Sequence, residues 1–346
     1  MDTSRRSVIQ VAGAAFLTFA VSACAGPGNG GQTAKNTVAS GAGAGSGGGG
    51  DLGTLRIVTS SQSLNFIGIT DDFGQWGGTG LGVDVIAGDS KTNAAAIASG
   101  SADVSLQAGN TGALAIAKGL DASIVGAVLL PWNQLLIVGD RVTASRPEDL
   151  RGGTFGITSF GSGGDYATQR MAGHLGWGKG DYKEVTIGGG PSGLAAALKQ
   201  GKIDAFYWNA GVAYQLEADK VGKVLGKATD YVGPTVFQPI IVRNDVIKQH
   251  PERVVALVKG FQKAVEVMKS DPSKAVEILV TKWGQKQGPS QRAVEDLIPD
   301  LNADVTIPDE NLIGLGDAVS FTTEGKVKLS ADALKKMYAP WTDLEK

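Results

Sequence analysis

The chain has 346 residues, 42% of them hydrophobic and 19% charged, with a formal net charge of −2. That length suggests two domains or lobes plus tails, and the near balance of charge gives no electrostatic reason to expect nucleic acid. One cysteine and two histidines, His174 and His250, exclude an intrachain disulfide and a structural zinc site.

The chain opens with Ser4-Arg5-Arg6-Ser7 before an apolar run at 11–21. A charged start, a short apolar stretch and small residues predict an export signal. The run is shorter than the roughly 20 residues of a membrane span, and its twin arginine resembles the signal of the twin-arginine route. Val21-Ser22-Ala23-Cys24 looks like a lipobox, which makes Cys24 the expected lipidated first residue of the mature protein. The alternative is a plain signal with an incidental cysteine. Residues 25–53 are rich in Gly, Ala, Ser, Asn and Thr. They bury too little apolar surface to fold and predict a flexible tether of about 30 Å.

Beyond the tether, short β-rich runs at 55–59, 83–86, 104–106, 124–130, 135–138, 154–157, 184–187 and 205–207 predict strands. Helices are expected at 92–99, 112–118, 165–175 and 192–200. Such alternation argues for parallel α/β sheets. After Arg243 the pattern becomes helix after helix, with an apolar stripe at 251–269 of helical period. Further helices are expected from 272, from 290, at 309–320 and at 330–338.

Ala95-Ala96-Ile97-Ala98-Ser99-Gly100-Ser101-Ala102-Asp103 returns as Ala196-Ala197-Leu198-Lys199-Gln200-Gly201-Lys202-Ile203-Asp204. Each is a helix, a glycine stop and an aspartate that opens a strand. The repeat predicts two lobes of similar build, with strand-end loops facing one cleft. Any two αβ units share some likeness, which is the alternative.

The order of Gly80-Leu81-Gly82-Val83-Asp84-Val85, Ser99-Gly100-Ser101-Ala102-Asp103-Val104, Arg146-Pro147-Glu148-Asp149-Leu150-Arg151-Gly152-Gly153 and Gln200-Gly201-Lys202-Ile203-Asp204-Ala205 resembles a known group. It is that of ABC-transporter substrate-binding proteins for nitrate, sulfonate, taurine and thiamine pyrimidine. The likeness runs from about Leu55 to the C-terminus. It implies the type II periplasmic-binding-protein fold: two α/β lobes, each a mixed, mostly parallel sheet flanked by helices. The expected division is 1–24 signal, 25–53 tether, 54–138 with 236–346 as lobe 1, and 139–235 as lobe 2. Runs 135–138 and 236–242 are the expected crossings. The helix at 67–76, broken by Asp71-Asp72, and the Gly163-Gly164-Asp165 loop depart from the family pattern.

Strand-end loops supply the candidate ligand-binding residues: Ser61, Gln62 and Ser63 after the first strand, Asn110 and Thr111 after 104–106, Gly161, Ser162, Gly163 and Asp165 in the second lobe, and Trp208 with Asn209 after 205–207. Each has a structural alternative: helix caps for Ser61–Ser63 and Asp165, turn chemistry for Asn110 and Thr111, burial in its own lobe for Trp208. By the repeat, Trp208 and Asn209 face Gln107 and Ala108. The loop at 188–192 reads as a tight turn, and Trp132 as a residue near the hinge. With neutral side chains in these loops, a small sulfonate-, nitrate- or taurine-like anion is favoured, held at helix N-termini; a neutral heterocycle ranks second and a cation last. The resemblance implies a monomeric, extracytoplasmic lipoprotein serving an ABC permease, without cofactor, metal or catalytic residues. Thiamine-pyrimidine-type binding or synthesis, or a sensory receptor, are the alternatives.

Overall fold

The computed structural model describes residues 51–60, 70, 79–89 and 92–346. The signal, Cys24, nearly all of the tether, the loop Ser61-Gln62-Ser63 and, Thr70 apart, the helix expected at 67–76 lie outside the described residues.

The strands form two five-stranded sheets. The first holds β1 (Gly53–Ser60), β2 (Leu81–Gly88), β3 (Val104–Leu106), β4 (Ala122–Leu129) and β10 (Gln238–Arg243), in the order β2-β1-β3-β10-β4. The second holds β5 (Leu135–Gly139), β6 (Thr154–Ile157), β7 (Lys183–Thr186), β8 (Ala205–Trp208) and β9 (Gly222–Lys227), in the order β7-β6-β8-β5-β9. In both orders the first three strands run parallel, and the fourth is antiparallel to its two neighbours. The antiparallel strand is in each case the one by which the chain arrives from the other sheet.

This corrects one expected boundary. The run 135–138 is expected in lobe 1, but β5 pairs along its length with β8 and β9 of the second sheet. The chain therefore leaves the first sheet between 129 and 135, not at 138. It returns between 227 and 238.

Among the described residues, helices follow β2, β3, β6, β7 and β8: α1 (Thr92–Ala98), α2 (Gly109–Ala117), α3 (Gly163–His174), α4 (Gly190–Gln200) and α5 (Ala210–Ala218). The C-terminal part is helical: α6 (Asn244–Gln249), α7 (Pro251–Ser270), α8 (Pro272–Thr281), α9 (Gln287–Leu297), α10 (Asp309–Thr322) and α11 (Ala331–Met337). Pro251 and Pro272 sit in first turns, where the missing N–H has no helical partner to lose.

Both faces of both sheets are covered. Alternation along β5 sends Leu136 and Val138 into one core and Leu135 and Ile137 into another. Ile240 and Val242 of β10 pack toward α7, whereas Ile241 packs toward Leu312, Leu315 and Val319 of α10. The α7 stripe of Val254, Leu257, Val258, Phe261, Val265 and Met268 is buried against the first sheet. At about 1.5–3 kcal/mol for each large side chain removed from water, that stripe fixes the helical layer to the lobe.

The internal repeat has a structural meaning. Asp103 accepts the Arg56 backbone N–H at 2.9 Å, and Asp204 accepts the Thr154 backbone N–H at 2.8 Å. Each aspartate thus pins the strand it opens to the strand alongside, β3 to β1 and β8 to β6. Each also meets arginine: Arg56 and Arg243 around Asp103, Arg141 beside Asp204. The glycine stops, Gly100 and Gly201, have φ of +72° and +78°, a conformation that favours glycine.

Candidate ligand-binding cleft

Parallel strands direct their carboxyl ends the same way, so the loops after β2, β3, β6, β7 and β8 gather at one place. They enclose a cavity of about 750 Å³. Lobe 1 supplies Gly88, Asp89, Asn93 and Gln107; lobe 2 supplies Ser162, Gly163, Gly190, Trp208 and Asn209. The N-termini of α1, α3, α4 and α5 open onto it.

The candidate residues divide. Ser162, Gly163, Trp208 and Asn209 line the cavity, and Gln107 and Ala108 line it with them. Ser162 and Asn209 also cap their helices, accepting the N–H groups of Asp165 and Val212 at 3.4 and 3.1 Å. The Trp208 Nε1 has no hydrogen-bond partner among the described residues. Gly163 is a point of close approach: a Cβ there would stand 3.2 Å from the Ala108 Cβ and 3.3 Å from Trp132 Cζ2.

Asn110, Thr111, Gly161 and Asp165 are not on the cavity wall. Asn110 Nδ2 donates to the Gly161 carbonyl at 2.9 Å and Thr111 Oγ1 to the same oxygen at 3.4 Å, so this group ties lobe 1 to lobe 2. Gly161, at φ +81°, presents its carbonyl to Asn110 while its N–H donates to Asp165. The buried Asp165 carboxylate also takes the Gln169 Nε2 at 2.7 Å. Burial, reinforced by the charge of Asp165 and a hydrogen bond with it, pushes the neighbouring Glu184 up to about 9.

Several wall residues were not anticipated. The 188–192 loop is part of the wall rather than only a turn. The strand-end loops offer no lysine to the cleft, yet Lys227 at the end of β9 lines it. So do Glu295, Asp296 and Asp300, which follow one another at the end of α9 and in the 3₁₀ turn Ile298–Asp300. Burial holds Asp300 above its ordinary value, against a hydrogen bond from Asn133 and the nearby Lys227 charge; Asp296 adds to the rise. Trp132 is fully buried, donates to Gln134 Oε1 at 3.1 Å, and packs on Tyr166 and Phe237.

Two further seams join the lobes. Between α9 and α5, Arg292 lies 3.7 Å above the Tyr214 ring and pairs with Glu217 at 2.7 Å, while Tyr214 bonds to Asp296. Between α10 and α3, Phe321 packs edge-on against Tyr166 with Arg170 over its ring. Among the described residues no cluster of three His, Cys, Asp or Glu side chains is placed to hold a metal, and no helix is long and apolar enough to cross a membrane.

A family model described as NMT1/THI5 like matches residues 73–275. The chain belongs to the NMT1/THI5-like family. No curated protein matches the sequence. Among solved structures, the alkanesulfonate-binding protein SsuA from Xanthomonas axonopodis pv. citri, bound to MOPS, aligns at a TM-score of 0.72. The alignment covers 83% of this chain and 98% of that one at 15% identity. The periplasmic aliphatic sulphonate binding protein SsuA from Escherichia coli gives 0.66, with 83% and 92% coverage at 16% identity. The periplasmic nitrate-binding protein NrtA from Synechocystis PCC 6803 gives 0.63, with 84% and 87% at 14%. At these identities the likeness is one of fold: the chain has the two-lobed α/β architecture of periplasmic binding proteins.

Proposed function

We propose that the protein is an extracytoplasmic solute-binding lipoprotein that captures a small molecule between its lobes and delivers it to an ABC permease, without enzymatic turnover. The observation that carries this reading is the cavity of about 750 Å³, walled by strand-end loops of both sheets and bridged by Asn110 and Gly161. That volume suits a small organic solute. Among the described residues its wall contains no histidine or cysteine, which leaves imidazole–nucleophile chemistry without its parts. The crossings at 130–134 and 228–237 serve as a two-stranded hinge, so that closure joins the wall around the solute. Cys24 holds the body to the outer face of the membrane through the tether.

A thermal-shift screen of small metabolites tests the reading. A ligand present at about a hundred times its Kd adds roughly 2.7 kcal/mol, a rise of about 4 °C for a chain of this size. The bound compound is expected back unchanged; conversion to a product overturns the assignment as a binder. Cys24→Ala is expected to release the protein from membranes with its melting temperature unaltered. Retention of that variant after a high-salt wash would refute the anchor.

A further inference from the structure

Gln107 directly follows β3 and lies on the cavity wall with 6% of its surface exposed. Its side chain rests against the first turn of α2, where Nε2 is 3.4 Å from the point a Cβ on Gly112 would occupy. Neither Oε1 nor Nε2 has a hydrogen-bond partner among the described residues. Across the cleft, Trp208 Nε1 is in the same condition. Asn93, 1% exposed, reaches the Leu106 carbonyl with Nδ2 at 3.5 Å, and its Oδ1 is unpartnered. Buried polar atoms are ordinarily paired, so a set of them lining the two sides of one cavity marks where a ligand completes the bonding.

Among the described residues, the buried side-chain atoms left unpartnered at the cavity are balanced: two donors, Gln107 Nε2 and Trp208 Nε1, and two acceptors, Gln107 Oε1 and Asn93 Oδ1. Exchanging the two ends of the Gln107 amide leaves the balance unchanged. An oxyanion only accepts. It would satisfy the donors and set two carbonyl oxygens against its own charge, beside a wall whose charged members among the described residues are Asp89, Glu295, Asp296 and Asp300 with Lys227. An ammonium only donates, and would leave both N–H groups unanswered. A group with an N–H beside a C=O answers all four atoms.

Resting on the binding-protein reading above, the geometry points to an uncharged solute with an amide-, lactam- or urea-type group, gripped at two points by Gln107, with Trp208 against its flat or apolar part. This reverses the preference for an anion drawn from the loops alone. Gln107 is then the residue that sets solute class, and it was not among the candidates.

The test exposes the full chain to a metabolite library sorted by charge, with benzamide and benzoate, and benzenesulfonamide and benzenesulfonate, as matched pairs. Retained compounds are identified by mass spectrometry and titrated by calorimetry. Uncharged compounds bearing N–H and C=O or S=O groups are expected to be retained, with each amide at least about tenfold tighter than its matched anion. Gln107→Leu is expected to weaken that binding about ten- to a hundredfold, while the ligand-free melting temperature stays level or rises, because two unpartnered polar atoms are gone. A retained anion or cation that outcompetes the uncharged compounds overturns the solute class and leaves the binding function standing. Retention of nothing overturns both. A Gln107→Leu variant that melts lower and binds as before makes Gln107 a structural residue and also overturns the inference.

Discussion

Removing the Asp103 carboxylate should cost more stability than any other single change at the strand starts. Asp103 is 7% exposed and accepts three hydrogen bonds from one residue: the Arg56 backbone N–H at 2.9 Å, Nε at 3.0 Å and Nη2 at 2.7 Å. In Asp103→Ala the strand N–H loses its partner, a penalty of about 1–3 kcal/mol. The guanidinium bonds add less, because the Arg56 side chain is 40% exposed and water replaces much of what it loses. The sum is about 3 kcal/mol, which corresponds to a fall of roughly 4–5 °C in Tm. Asp204→Ala should cost less, about 1–2 kcal/mol, since its carboxylate is 34% exposed and its arginine contact is 3.3 Å. Asp103→Asn keeps an acceptor for the N–H and should fall between wild type and Asp103→Ala. Differential scanning calorimetry measures all three. The acid limb adds a check. Burial alone would raise the Asp103 pKa, but hydrogen bonds from Arg56 and the charges of Arg56 and Arg243 hold it below the ordinary value. Its contribution is therefore present above the unfolded pKa near 3.9 and lost as pH falls through the folded one. A change of under about 2 °C for Asp103→Ala, or a larger loss for Asp204→Ala, would refute the reading of these aspartates as strand pins.

Glu184 carries the opposite pH dependence. Its folded pKa of about 9 lies above the unfolded value, so it favours the fold at acid pH and opposes it increasingly as pH rises toward 9. Glu184→Gln should flatten the decline of Tm with pH and melt above wild type in alkaline buffer; parallel curves for the two proteins would exclude this role. Gly163→Val places a branched side chain where even a Cβ would press Ala108 and Trp132 across the cleft. Overpacking of this kind costs about 1–3 kcal/mol, expected as a roughly five- to hundredfold loss of solute affinity with the ligand-free fold retained by circular dichroism; unchanged affinity would mean that the lobes do not meet at Gly163 when the solute is bound.

Much of the fold was legible because its signals are local. The runs at 104–106 and 154–157 are bounded by aspartate or glycine and coincide with β3 and β6. The α7 stripe is plain in the period of its apolar residues. By contrast, α5 is short and built largely of small or apolar residues, and Gly222–Lys227 is a Val-Leu pair flanked on each side by Gly-Lys, so neither carries a strong periodic signal. The Leu-Leu-Ile-Val core of β5 is buried on both faces, and such a run does not say which sheet will bury it. At the cleft, the strand-end rule located Trp208, Asn209, Ser162 and Gly163. It could not locate Asp300, which arrives from a helix more than ninety residues beyond β8 and reaches the wall only through tertiary packing. Nor does an amide beside a strand end announce, as Gln107 does in the structure, that both of its polar atoms are buried and unpartnered.

The two aspartate pins lie at the amino ends of β3 and β8, whereas the cavity lies at the carboxyl ends. Register is therefore set at one end of each sheet and chemistry is chosen at the other. A loop such as 188–192 or 158–162 can change length or composition without slipping a strand, because nothing that aligns the strands passes through it. That separation makes the cleft an evolvable surface on a frame whose register is fixed elsewhere. Grafting a different set of wall residues onto these loops should alter what is bound well before it endangers folding.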